Sequence, residues 1–346
     1  MARRVRALVV AAATAAFTLS SVSGAPAATR SLPAPFSSWD VEVSPKADEQ
    51  GALTLKYTSP ALGMRTTNTV YLPDSYRSTG RASSVMYYLH GTVLPPIDNP
   101  VLDPVTGLES LLSMTSAGGG GKQTRLFDFG SQRAKADFLV VAPDTNAETT
   151  WCQTCMWING RDSPLPNVPP VTGVKRPAED VLYEELIPLV EKLFNVRTTR
   201  EGRGVMGFSM GGISAMVQGF RHPDRYAFVG SVSGPYDFVD DPAVMAVIEG
   251  VGYLRDQGYG SRLTNAADWA ELNPRHLVGN FAGSGGTLLL SAGDTCLPPT
   301  DAKGTAACAK HPSLTNPAAT AIELLIRRNL DMSVSQLSAS GVPATQ

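Results

Sequence analysis

The stretch that decides the fold runs from Gly204 to Phe220, Gly204-Val205-Met206-Gly207-Phe208-Ser209-Met210-Gly211-Gly212-Ile213-Ser214-Ala215-Met216-Val217-Gln218-Gly219-Phe220. Its first four residues form a short apolar run typical of a strand buried on both faces, and Ile213 to Phe220 read as a helix. A sharp strand-to-helix turn at Gly-x-Ser-x-Gly lifts the serine hydroxyl clear of the backbone, and glycines on either side keep Cβ atoms out of the neighbouring strand and helix. Ser209 is therefore the candidate nucleophile. The bland alternative is a packing turn of the same shape.

Outward from this turn the same pattern repeats. Val85–Leu89, Phe138–Ala142, Ala227–Val232 and Thr287–Ser291 are further continuous apolar runs. Trp39–Val43, Leu53–Tyr57 and Thr67–Leu72 alternate between turn signals and suggest an antiparallel entry. In Ala178–Phe194 the residues Leu182, Leu186, Leu189 and Leu193 recur at helical spacing, with Pro188 expected to kink the helix. Strands alternating with helices predict an α/β fold: a mostly parallel central sheet with helices on both faces.

An oxyanion formed at an attacked carbonyl needs two donors. The Met210 N–H, directly after the serine, is the first candidate. The second is the Thr92 N–H, because Tyr87-Tyr88-Leu89-His90-Gly91-Thr92 ends an earlier strand and Gly91 permits close backbone approach. His90 precedes the serine, which is the wrong order for a Ser, acid, His triad, so it reads as structural.

Composition bounds the rest. Lys plus Arg number 29 against 31 Asp plus Glu in 346 residues, a formal net charge of −2, which argues against nucleic acid as a partner. Hydrophobic residues make up 43%, enough for a core, and 32 Gly with 26 Pro mark a loop-rich chain rather than a helix bundle. Arg3, Arg4 and Arg6, the apolar stretch Ala7–Val22 and the small residues Ala25-Pro26-Ala27 read as a secretory signal peptide over 1–27. Thr14, Thr18, Ser20 and Ser21 interrupt that stretch, and no later one is long enough for an integral membrane segment. Residues 28–346 are expected to form a single domain in a secreted, extracellular protein. Its oligomeric state is left open.

Export implies an oxidising compartment, so Cys152 with Cys155 and Cys296 with Cys308 are expected to form disulfides. A redox role for Cys152-Gln153-Thr154-Cys155 would require it to open a helix after a strand, whereas it lies among Trp151, Trp157 and Gly160 in a loop. No histidine stands at ligand spacing from either pair, so no metal is expected. The reading calls for no cofactor.

The strings YYLHG (87–91), APD (142–144), ELIPLVEKLF (185–194), GFSMGGISA (207–215), HPDRYAFVGSVSGPYD (222–237) and GVPAT (341–345) resemble the secreted esterase family of α/β hydrolases. That family includes esterase D and the mycolyltransferases of the antigen 85 group. The resemblance spans about Val70 to the last residue, and it implies acyl-ester chemistry through a Ser, acid, His triad on an α/β-hydrolase fold.

Two carboxylates compete for the acid. Asp294 follows the strand Thr287–Ser291, the usual place, or is simply a turn residue beside Gly293. Glu323 lies early in a helix opened by Asn316 and Pro317, where a solvated glutamate is also at home. The string AIELLIRRNL is similar to the acid-bearing helix of the mycolyltransferases, and the resemblance favours Glu323.

For the base, His222 belongs to the HPDRY motif, His276 to an Asn-Pro-Arg-His turn, and His311 follows Cys308 in a disulfide-bounded loop. In the family the base follows one more strand, in a string like GGHSWxYW. The sequence reaches Gly341–Gln346 where that strand would begin, so the catalytic His, the last strand and the last helix are expected to be missing.

The mycolyltransferases follow their oxyanion loop with an Arg that helps hold a sugar. Val93 stands there in this chain. Hydrolysis of a small-molecule or glycolipid carboxylic ester is expected, with acyl transfer to a sugar as the near alternative. A secreted hydrolase fold kept for binding, without a triad His, is the reading from another class.

Overall fold

The computed structural model describes residues 32–46, 52–92, 134–144, 151–152, 155–160, 177–251, 254–292 and 317–342. The signal-peptide segment, Asp294, Cys296, Cys308 and His311 lie outside them.

Eight strands form one sheet in the order β1-β2-β3-β5-β4-β6-β7-β8. They are β1 (Glu42–Pro45), β2 (Ala52–Ser59), β3 (Met64–Tyr71), β4 (Ser84–Leu89), β5 (Phe138–Ala142), β6 (Arg203–Phe208), β7 (Phe228–Val232) and β8 (Thr287–Ser291). The first three pair antiparallel, and β3 meets β5 antiparallel. From β5 through β4, β6, β7 and β8 every pairing is parallel. This is the α/β-hydrolase architecture that the strand pattern predicts.

The central strands are apolar because both faces are covered. Val85, Tyr87 and Leu89 point into a large core with Leu139, Val141 and Val205, while Tyr88, Val140 and Ala142 join a smaller cluster on the opposite face. The helix Met210–Arg221 is buried over nearly its whole length. Among the described residues no helix is long and apolar enough to cross a membrane.

Two local expectations shift. The first strand begins at Glu42, not Trp39, because Asp40 turns left-handed (φ 50°). Trp39 is buried instead, and its carbonyl accepts from Thr58 N–H at 2.6 Å. In the helix Ala178–Leu193 the turns Val181–Leu186 are wound wider, as a π-helix, just before Pro188. Pro188 has no N–H for the Glu184 carbonyl and its ring would crowd that oxygen in a regular turn. A wider preceding turn accommodates both defects.

The long helix Pro317–Ala339 crosses back to the sheet near β8. Ile326, Leu330 and Leu337 form its buried stripe, at helical spacing. Asn329 ties it down: its Oδ1 accepts from Tyr236 N–H (2.9 Å) and Asp237 N–H (3.0 Å), and its Nδ2 donates to Asp237 O (2.7 Å).

Candidate active site

The site stands at the carboxyl ends of the parallel strands, where an open α/β sheet presents its loops. Ser209 leaves β6 with φ 54° and ψ −118°, a backbone conformation costly for any residue with a Cβ. Its N–H donates to Val232 O at 2.8 Å, and its own carbonyl accepts the N–H of Ile213 at 3.0 Å. The bend is thus braced by β7 on one side and by its own helix on the other.

The flanking glycines are demanded by closeness rather than by dihedral angle. A Cβ on Gly207 would overlap the Gly211 carbonyl and lie 2.6 Å from Leu89 O. One on Gly211 would collide with Leu89 O and sit 2.5 Å from His90 O. Backbone oxygens of β4 cannot retreat without breaking the sheet, so only glycine lets the helix start this near the strand.

Leu89 pairs with Gly207, so the chain leaving β4 runs alongside the serine bend. At Gly91 a Cβ would be 3.3 Å from Ser209 Cβ and 3.1 Å from Phe208 O. Gly91 therefore lies close to Ser209, and Thr92 after it is buried. Met210 opens the helix on the other side of the serine, and its N–H belongs to the unsatisfied first turn of a twelve-residue helix.

Glu323 reaches the site through a residue that sequence reading passed over. Ser233, one step past β7, has positive φ like Ser209 (φ 52°), and its hydroxyl donates to Glu323 Oε1. Phe208 and Val232 are register partners, so the two serines leave adjacent strands at the same level, roughly 5 Å apart in backbone. Ser233 lies within the SVSG string, but only the fold shows what its hydroxyl meets.

The described histidines are engaged elsewhere. The His90 ring is buried, with Nδ1 2.6 Å from Gly91 O and Nε2 3.4 Å from Asp144 Oδ2. His222 follows the far end of the helix that Ser209 begins, about 18 Å away for twelve residues at 1.5 Å each, and lies edge-on to Tyr183 with Glu179 at 3.7 Å. His276 Nε2 is 2.8 Å from Asp240 Oδ2.

Around the loop after β7, Asp237 is the electrostatic anchor. Burial opposes its ionisation, but hydrogens from Asp240 N, Arg275 Nη1, Asn273 Nδ2 and Val239 N outweigh that cost and hold it below the ordinary aspartate value. The Cys152 and Cys155 sulfurs are placed in bonding contact, with Cα atoms 4.9 Å apart, in the buried loop beside Trp157.

The profile of the Esterase family matches residues 59–288, well over half of the chain. This chain belongs to the esterase family. The match takes in Ser209, Gly91 and Ser233, and ends before Glu323. Within the family, Esterase Rv1288 of Mycobacterium tuberculosis (strain ATCC 25618 / H37Rv) is 26% identical over 185 residues, which cover 52% of this chain and 31% of the relative. This esterase-family chain thus matches about a third of that relative's length. Among solved structures it is similar to MPT51 of Mycobacterium tuberculosis (18% identity, 82% of this chain and 84% of that one, TM-score 0.47). It is also similar to an S-formylglutathione hydrolase from Agrobacterium tumefaciens (15% identity, 85% and 99%, TM-score 0.48).

Proposed function

We propose that this esterase-family chain carries the catalytic domain of a secreted serine hydrolase that cleaves carboxylic esters through an acyl-enzyme on Ser209. The observation that carries the reading is the strained Ser209 bend, set between Gly91 and the opening turn of its own helix.

In this reading Ser209 Oγ adds to the ester carbonyl carbon while its proton passes to an imidazole base. The carbonyl oxygen becomes an oxyanion that receives the N–H groups of Met210 and Thr92. Collapse expels the alcohol, which takes the proton back from the imidazole, and water then repeats the sequence on the acyl-enzyme. Glu323 is favoured over Asp294 as the carboxylate that orients the base, because its Oε1 accepts the hydroxyl of Ser233, which follows the strand next to the one that ends at Ser209. The base is not His90, His222 or His276, whose rings are committed elsewhere. Of the four histidines in the sequence this leaves His311, which lies outside the described residues.

Domain 28–346, removal of residues 1–27 and extracellular disulfides at Cys152–Cys155 and Cys296–Cys308 complete the proposal. Val93 after the oxyanion loop favours water over a sugar as the acyl acceptor. The commitment of three histidine rings favours one other reading, a hydrolase fold retained for binding.

Hydrolysis of p-nitrophenyl acetate and butyrate, with fluorophosphonate labelling, tests the proposal. Turnover and labelling that vanish in Ser209→Ala support it. A chain with neither is the binding protein instead.

A further inference from the structure

We propose that Asp144 and His90 are positioning residues that set the direction of the Gly91–Thr92 peptide, and so aim the second oxyanion hydrogen. The inference deepens the serine-hydrolase reading above and rests on it. Gly91 lies close to Ser209, where an added Cβ would be tight at 3.1 to 3.3 Å from its neighbours, and as a glycine its backbone is free to rotate. A peptide that can flip presents either its oxygen or its hydrogen to the attacked carbonyl, and only the hydrogen helps.

The His90 ring removes that freedom. Its Nδ1–H donates to Gly91 O at 2.6 Å. A trans peptide is planar and points its C=O and N–H in opposite directions, so gripping the Gly91 oxygen also directs the Thr92 N–H. The ring itself is fully buried, lies edge-on to Trp157 with centroids 5.2 Å apart, and has Nε2 3.4 Å from Asp144 Oδ2, so that both ring nitrogens face acceptor oxygens.

Asp144 is held before it meets the ring. Its carboxylate accepts Trp151 N–H (3.3 Å) and Cys152 N–H (2.9 Å), and its own N–H donates to Asn68 Oδ1 at 3.3 Å. It is buried and has positive φ, 55°, like the serines that follow β6 and β7. A buried carboxylate beside a buried imidazole, on a strained residue, is an expensive way to fill space, since apolar side chains do so at lower cost. The arrangement makes sense where direction is what matters.

The test uses the full natural protein and two histidine replacements. Asparagine places a donor where Nδ1 was, whereas glutamine places one where Nε2 was. His90→Gln is expected to lower kcat about 10- to 100-fold with KM within about twofold, on the scale of a misdirected oxyanion donor. His90→Asn is expected to keep most of kcat. Equal losses in the two variants overturn the assignment. A 15N-resolved NMR spectrum of the wild-type His90 ring reads the same bond without turnover: a hydrogen-bonded Nδ1–H supports it and a bare Nδ1 overturns it. If Ser209→Ala matches wild type, the hydrolase reading has failed, and the ring spectrum still decides whether His90 grips the peptide.

Discussion

Ser209 and Ser233 leave neighbouring parallel strands at the same level, and both have positive φ, 54° and 52°. The second turns its hydroxyl onto Glu323. Two strained serines side by side suggest that Ser233 works with the site rather than merely ending a strand.

Replacing Ser233 separates its hydroxyl from its strain. Ser233→Ala loses the bond to Glu323 and keeps the unfavourable φ. Ser233→Gly loses the bond but relieves roughly 1 kcal/mol of backbone cost. Esterase activity should fall similarly in both, about tenfold, while the glycine variant melts at the higher temperature. Activity preserved in both would remove Ser233 from the site.

Gly211→Ala should prevent the helix from seating against β4, because its Cβ would meet the carbonyl oxygens of Leu89 and His90. A cost of about 3 kcal/mol or more is expected, at the upper end of overpacking, since backbone must move. Gly250→Ala is the control. Nothing lies within 4 Å of its Cβ position in the helix Pro242–Val251, and helix propensity should raise stability by up to about 1 kcal/mol. Urea unfolding of the two variants checks both signs.

Asn329 satisfies the backbone N–H groups of Tyr236 and Asp237 and reaches Asp241 Oδ2 at 3.2 Å. Asn329→Ala strands those buried groups, and a loss of about 2 to 4 kcal/mol is expected by chemical denaturation. Asn329→Asp keeps the acceptor but turns a carboxylate oxygen onto Asp237 O and Asp241 Oδ2, so it should cost at least as much.

Stability should respond to pH in opposite ways at two carboxyl groups. Asp237 is held below its ordinary 3.8, so its contribution is complete above that value and is lost as pH falls through the lowered one. The gap between wild type and Asp237→Asn should therefore close in acid. Glu185 is pushed above 4.5, chiefly by burial, with Oε1 accepting Ala61 N–H at 2.7 Å. Its native state binds the proton more tightly than the unfolded chain does, so its contribution is best below 4.5 and declines as pH rises through the raised value. Glu185→Gln keeps the acceptor and cannot ionise. It should gain on wild type toward neutral pH and match it near pH 4, measured as melting temperature against pH.

Residues 204–220 could be read without a structure because everything they require is local. An apolar run, a glycine-flanked serine and a helical repeat follow from sterics within a few residues, and the same holds for the parallel strands and for the helix over 178–193. Long-range partners could not be read. Ser233 and Glu323 are 90 residues apart and His90 and Asp144 are 54 apart, and no spacing rule pairs them. They meet only because the strand order 5-4-6-7-8 brings the ends of β4 and β5, and of β7 and its returning helix, to one edge. The left-handed turn at Asp40 and the widened helix before Pro188 likewise depend on what the surrounding chain forces on a backbone that locally had cheaper choices. Local sterics chose the elements, and burial of apolar faces in one register decided which polar groups meet.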